Sequence, residues 1–312
     1  MLPFPIVDSH LHIWDASVCR IPWLPTVPVL NRSFSLCDYN DGCGSVAVDA
    51  MVFLECDVDP ASVIPETAWV TEQAKGDPRI GAIVAHAPLE RGNAVLPHFD
   101  QLASFPLVRG VRRLLQQEAD PEFCLRPGFI EGVKLLGRRG WSFDICVTYR
   151  QMESVIRLAD LCPDIPMVLD HLGKPCVREG LLEPWRTQLR ELARRENVDC
   201  KLSGLATEAD HRTWTREEIK PFILAALEAF GPQRTMFGGD WPVSTQAISY
   251  PKWVDVVDWA TADFTVAERL AIFRDTAKRF YRLPSGPRTG NELESAARPC
   301  ASRTISLKEE LS

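Results

Sequence analysis

The sequence predicts an α/β protein built as a single (β/α)8 TIM barrel, and three observations predict it. Eight short apolar runs recur between Ile6 and Gly239, most of them separated by stretches of helical period. The chain has 312 residues, 46% hydrophobic and 25% charged, which suits one α/β unit near the ~250 residues typical of such barrels. Side chains of metal-binding type end several of the runs, and a barrel gathers the C-terminal ends of its strands around one mouth. An open doubly wound sheet is the rival. It would carry a Gly-x-Gly-x-x-Gly turn after the first strand and collect its polar residues at one crossover, and this chain does neither.

Taken in order, the strands are expected at Ile6 to Leu11, Ser45 to Leu54, Ile80 to His86, Leu107 to Leu114, Ser142 to Val147, Pro166 to Asp170, Val198 to Leu202 and Thr235 to Gly239. The spacing of apolar positions predicts helices over Pro60 to Lys75, Ala94 to Ala103, Pro121 to Arg139, Arg150 to Cys162, Leu182 to Glu196, Thr215 to Phe230 and Tyr250 to Trp259. The connection from Trp14 to Asp41 carries Pro22, Pro25 and Pro28 among Trp14, Trp23 and Phe34. It reads as an ordered aromatic loop rather than a helix, lying over the mouth where it helps cap a substrate. Thr265 with Glu268 three residues later is a capping box that opens a helix to Tyr281 and closes the barrel. Residues 1–283 therefore read as the barrel, and 284–312, rich in Ser, Gly, Arg and Glu, as a mobile tail.

The formal net charge of −7 argues against a nucleic-acid surface, which needs clustered Lys and Arg. No segment approaches the roughly 18 uninterrupted apolar residues of a membrane span, and the opening run is too short for a secretion signal. The expected setting is the cytoplasm and the expected partner a small molecule, with homo-oligomerisation left open. The ten cysteines show no C-x-x-C and no paired spacing, and several sit inside apolar runs. They read as reduced, structural thiols.

Residues i and i+2 of a strand share a face, so His10 and His12 converge on one point. His171 follows the sixth run, in Asp170-His171-Leu172-Gly173-Lys174-Pro175, and Asp240 follows the eighth, in Gly238-Gly239-Asp240-Trp241-Pro242. Neutral imidazoles and a carboxylate with an open position make a hydrolytic metal site. His10, His12, His171 and Asp240 are thus the candidate ligands of one divalent ion, zinc being the first choice. Asp240 is also the candidate general base, since a carboxylate beside a cation stays ionised and can still take a proton from water. In Arg109-Gly110-Val111-Arg112-Arg113, Arg112 shares a face with Gly110 and is the guanidinium expected in the mouth, where its fixed donors suit a carbonyl or hydroxyls. Asp144 and Trp14 are candidates for substrate contact. Asp144 and Glu55 each suit an ion pair equally well, His86 stands at a strand end within reach of the pocket, and His98 and His211 read as surface residues.

Five blocks together resemble the amidohydrolase superfamily, in particular its amidohydrolase-2 branch of sugar-acid lactonases of the L-fuconolactonase and L-rhamnonolactonase type. They are Val7-Asp8-Ser9-His10-Leu11-His12-Ile13-Trp14-Asp15, Gly110-Val111-Arg112, Val168 to Pro175, Cys200-Lys201-Leu202-Ser203-Gly204-Leu205 and Met236 to Val243. The resemblance implies hydrolysis of a lactone, an essential Asp240 on the eighth strand, His10 and His12 on the first, His171 on the sixth and Arg112 near the scissile carbonyl. Two-metal members of the superfamily use a lysine or glutamate on the fourth strand and a histidine on the fifth. Here those strands offer Arg112 and Asp144, which argues against a binuclear centre, and some lactonases of the branch work without metal. Gly239 stands where relatives often carry serine. The expected reaction is water attack on a lactone carbonyl polarised by one ion or by Arg112 and His171, with Asp240 as base. The alternative is an amidohydrolase-like decarboxylase of an aromatic or unsaturated acid.

Overall fold

Parallel strands covered on both faces need nearly continuous apolar sequence, and runs such as Val52-Phe53-Leu54 and Ile83-Val84-Ala85 supply it. The computed structural model describes residues 2–284. In it these runs form β1 (Ile6–Leu11), β2 (Val48–Leu54), β3 (Ile80–His86), β4 (Val108–Arg112), β5 (Ser142–Ile145), β6 (Met167–Leu169), β7 (Val198–Leu202) and β8 (Thr235–Phe237). They pair in parallel in chain order. The ring closes where Leu11 bridges Trp241, Asp240 N–H donates to His10 O at 2.7 Å and His12 N–H donates to Trp241 O at 2.8 Å. Around it run α1 (Leu36–Cys43), α2 (Val63–Gly76), α3 (Leu96–Ala103), α4 (Pro127–Leu136), α5 (Met152–Leu161), α6 (Trp185–Leu192), α7 (Arg216–Phe230), α8 (Tyr250–Ala260), α9 (Val266–Leu270) and α10 (Thr276–Tyr281). This is the (β/α)8 barrel the sequence predicts. Beyond Pro284 the expected tail lies outside the described residues.

The connection after β1 is partly the expected aromatic loop. Trp14 and Phe34 exchange backbone hydrogen bonds at 2.9 Å, their rings meet edge to face, and Trp23 Nε1 donates to Cys56 O at 2.9 Å. Its last part is a correction, because it forms α1. Ser35 Oγ accepts from Asp38 N–H at 3.3 Å and Asp38 Oδ2 accepts from Ser35 N–H at 2.8 Å. Asp38 in place of the usual Glu or Gln disguised that capping box. β6 and β8 are also shorter than expected. His171 and Leu172 follow β6 at φ 52° and 55°, and Asp240 follows β8 at φ 52°, so the chain turns left-handed and leaves the ladder early.

Two apolar clusters build the molecule. The larger lies between the strands and their helices. The smaller fills the barrel with Val7, Val52, Val84, Val168 and Met236, and α10 stoppers it with Ala277, Phe280 and Tyr281. The helix from Thr265 onward opens with the predicted box, Thr265 N–H donating to Glu268 Oε2 at 2.8 Å, and continues through a π-helical stretch at Ala271–Asp275 into α10. Among the described residues no helix is long and apolar enough to cross a membrane, and Cys19, Cys43, Cys56, Cys124, Cys146, Cys162, Cys176 and Cys200 are free thiols.

Glu66 of α2 is 2% exposed. One of its oxygens accepts Cys56 N–H at 2.9 Å, and the other finds no partner among the described residues. Burial, reinforced by the charge of Glu55, pushes its carboxyl up to about 8. The native state then keeps a proton that the unfolded chain releases around an ordinary glutamate value of about 4.3. The raised native value means that stability from this group is complete below that pH and is lost as pH climbs toward about 8. Glu66→Gln is expected to remove a slope of up to about 1.4 kcal/mol per pH unit across that window. Urea-unfolding midpoints of both proteins at about pH 5 and about pH 8 check it, and parallel curves would refute it.

Candidate active site

Strand β1 and the residue just after it carry the first two candidate ligands, His10 and His12, past a bulge. Asp8 pairs with Met51 of β2 and Leu11 with Phe53, so three steps on one strand oppose two on the other. The extra residue lets Asp8 face outward toward α1 and α8 while His10 and His12 both point into the mouth. Asp8 Oδ1 accepts from His10 N–H at 3.0 Å and Gly239 N–H at 2.7 Å, and its Oδ2 accepts from Tyr39 O–H at 2.9 Å. One outward carboxylate thus ties β1 to the segment that ends in Asp240. Residue 239 has to be glycine here, since a Cβ would sit 2.6 Å from Asp8 Oδ2 and 2.4 Å from the Tyr250 ring. Trp253 Nε1 donates to Gly238 O at 2.9 Å and steadies the same turn from α8.

His10 Nε2, His12 Nε2 and Asp240 Oδ1 form a triangle with edges of 3.2, 3.6 and 3.6 Å. Donors on a tetrahedral ion with bonds of about 2.0–2.1 Å stand about 3.3–3.5 Å apart. His12 Nδ1 lies 2.9 Å from Leu54 O, which can only accept, so Nδ1 carries the hydrogen and Nε2 presents its lone pair. His10 Nδ1 faces Asp170 Oδ1 at 3.5 Å, which favours the same tautomer. The donor set therefore fits one divalent cation. The His10 Nε2 lone pair also faces Arg112 Nη1 at 3.3 Å, so an ion held there would share that atom with the guanidinium.

His171, the fourth expected ligand, sits beside the triangle. Its ring centroid is 4.5 Å from that of His10, and with His10 and Asp170 it forms a second group of close donors. Its Nδ1 lies 2.9 Å from Ser203 Oγ. Gly204, at φ +62°, lets the ring in, because a Cβ there would stand 2.6 Å from His171 Nδ1. Burial, with Lys201 and the other nearby cations, holds His10 well below the usual imidazole range. Burial also lowers His171 in spite of Asp240. Both rings are neutral around pH 7, as ligands and neutral donors must be. Burial alone would raise Asp240, but His171 and His12 outweigh it and keep the carboxylate ionised.

Arg112 is the guanidinium of its run that enters the mouth. Its Nε donates to Glu55 Oε1 at 2.7 Å, its Nη2 to Glu55 O at 2.5 Å, and its Nη1 lies 3.3 Å from Asp170 Oδ2. Arg109 instead turns out to Pro106 O and Arg113 to Glu118. Arg112, His12, His171, Asp240 and Trp14 all line one cavity of about 300 Å³. Asp144, expected to touch substrate, is taken up elsewhere. It is fully buried, accepting from Lys201 Nζ at 2.7 Å and Tyr281 O–H at 2.5 Å, and is not on the cavity wall. Its alternation on β5 pairs it with Arg112 across the ladder, inside the barrel rather than at the rim. Glu55 likewise serves as Arg112's ion-pair partner. His86 is absent from the wall and gives its carbonyl to His98 Nε2 at 3.0 Å, which makes His98 half-buried, while His211 is exposed.

The sequence reading missed the supports of the site. Lys201 Nζ, with 0% exposure, also lies 2.9 Å from Asp170 Oδ1, and Asp170 in turn faces both His10 and Arg112. A lysine at the centre of a parallel strand was the available signal, since lysine is buried only when paired.

Residues 7–283 match the amidohydrolase family Amidohydro_2, and the chain belongs to that family. It is a hydrolase of that family. Among its relatives is the L-fucono-1,5-lactonase of Burkholderia multivorans, 35% identical over 292 residues that cover 89% of this chain and 96% of the relative. L-rhamnono-gamma-lactonase of Scheffersomyces stipitis is 24% identical, covering 90% of this chain and 97% of its own. Among solved structures, an amidohydrolase from Burkholderia multivorans crystallised with bound zinc superposes with a TM-score of 0.81 at 34% identity, covering 90% of this chain and all of that one.

Lys201→Met removes the ammonium between two buried carboxylates. It is expected to lower stability by about 3–5 kcal/mol, read as a shift of the urea midpoint. A variant as stable as the parent would show that Asp144 and Asp170 do not depend on that charge.

Proposed function

We propose that this protein opens a sugar-acid lactone, with Asp240 as the general base. The carrying observation is the meeting of Asp240 Oδ1 with the His10 and His12 Nε2 atoms at the wall of a cavity sized for one small molecule, in a chain 35% identical to an L-fucono-1,5-lactonase. In this reading the lactone carbonyl faces Arg112 and His171. Ser203 Oγ lies 2.9 Å from His171 Nδ1; with its O–H donating there, His171 keeps its hydrogen on Nε2 for the carbonyl oxygen. Asp240 takes a proton from water as the water oxygen bonds to the carbonyl carbon. The developing oxyanion is held by the Arg112 charge and the neutral His171 N–H. Collapse breaks the bond to the ring oxygen, which recovers the proton from Asp240, and the product is a hydroxy acid. His10, His12 and Asp240 would hold a single divalent ion, zinc as in the Burkholderia structure, which when bound polarises the carbonyl and acidifies water. Trp14 gives the ring an apolar wall.

Asp240→Asn is expected to lower kcat for L-fucono-1,5-lactone by about 10²–10⁴-fold with the unfolding midpoint little changed. Acid release at neutral pH measures it, and retained turnover would remove Asp240 as the base. Carbon dioxide release from an aromatic acid, without lactone opening, would move the assignment to a decarboxylase.

Elemental analysis after mild purification is expected to find about one divalent ion per chain. Removing it with a chelator is expected to slow lactone opening, and the ion content of His10→Ala is expected to fall. Full activity in the ion-free protein would leave carbonyl polarisation to Arg112 and His171 alone.

A further inference from the structure

We propose that Asp57 receives a substrate hydroxyl, and that it makes the cavity select neutral, hydroxylated lactones over lactones bearing a second carboxylate. The inference rests on the lactonase reading above and adds a specificity-determining residue to it.

Asp57 follows β2 at φ 53°, a left-handed conformation that a residue with a Cβ adopts only when its surroundings fix it. What fixes it is Glu55. Asp57 N–H donates to Glu55 Oε2 at 2.7 Å, and the other oxygen of the same carboxylate holds Arg112 at 2.7 Å. The position of Asp57 is thereby keyed to the guanidinium that faces the lactone carbonyl. Its half-buried side chain lines the same cavity, and its carboxylate accepts no hydrogen bond from any described residue. Burial, with Glu55 close by, raises its carboxyl, as expected of an anion whose lost hydration nothing in the protein replaces. A hydroxyl donor from substrate would replace it.

The remaining polar wall supports this choice. Gln116, Gln117 and Gln246 offer neutral amides suited to hydroxyls. The two cations of the wall each have carboxylate neighbours: Arg112 is held by Glu55 and Asp170, and Lys174 stands 3.8 Å from Glu208. A second carboxylate on the substrate would find Asp57 and, among the described residues of the wall, no cation without a carboxylate of the protein beside it.

The test compares wild type with Asp57→Asn and Asp57→Gly, both residues at ease at positive φ. Three substrates are used: L-fucono-1,5-lactone, unsubstituted δ-valerolactone and 5-oxotetrahydrofuran-2-carboxylate. The ratio of kcat/KM for the sugar lactone to that for δ-valerolactone is expected to fall about 10- to 100-fold in both variants. The carboxylated lactone is expected to gain on δ-valerolactone in the same variants. An unchanged ratio, or equal losses on all three, overturns the proposal and makes Asp57 a structural residue. Wild-type activity on δ-valerolactone but not on the sugar lactone overturns it while leaving lactone hydrolysis in place. No lactone activity at all overturns the functional reading itself, and this inference with it.

Discussion

The ammonium of Lys201 is the constraint on which the interior depends. It has no solvent contact and stands between Asp144 and Asp170 at 2.7 and 2.9 Å. Two carboxylates buried so close would repel each other, and one would take up a proton. Burial favours that outcome and raises Asp144, whereas for Asp170 the charges of Lys201 and Arg112 outweigh burial and hold it ionised. An ionised Asp170 faces His10 Nδ1 at 3.5 Å and gives Arg112 its second anchor. Arg112, on the cavity wall, is thus aligned by a carboxylate buried behind it.

A second constraint works from outside the barrel. Asp8, turned outward by the bulge in β1, binds backbone N–H groups of His10 and Gly239. The triangle of His10, His12 and Asp240 joins opposite ends of the barrel in sequence, and its edges depend on how the first and last strands are joined. Asp8 makes that junction with two backbone hydrogen bonds and a tyrosine hydroxyl, and Gly239 leaves room for them. Serine at 239 needs a different arrangement of Asp8 and Tyr250, which accounts for glycine in this chain.

Much of this was legible in sequence, for specific reasons. The eight strands were legible because parallel strands with two covered faces leave unbroken apolar runs. His10, His12 and Asp240 were legible because chemistry-bearing residues end those runs. Arg112 followed from alternation with Gly110. Other features depended on contacts that no local pattern encodes. Asp144 looks the same in sequence whether it meets substrate or an ammonium from β7. The choice was made by Lys201, distant along the chain and adjacent in space. Asp8 lies two residues before His10 and by alternation shares its face, and only the bulge reverses it. His171 reaches the mouth through a left-handed turn at non-glycine residues, which no propensity favours.

Tyr281, near the end of the described chain, reaches from α10 to the same Asp144 that Lys201 holds. That contact gives the barrel's stopper a share in the buried polar network above it. Within the barrel His10 and His12 come from its first strand and the residue after it and this hydroxyl from its last helix, so the polar interior reaches its final hydrogen-bonded state only once the chain has been made from β1 through α10. Shortening the protein ahead of α10 would therefore disturb more than packing: it would strip a donor from a carboxylate three contacts removed from the imidazole of His10.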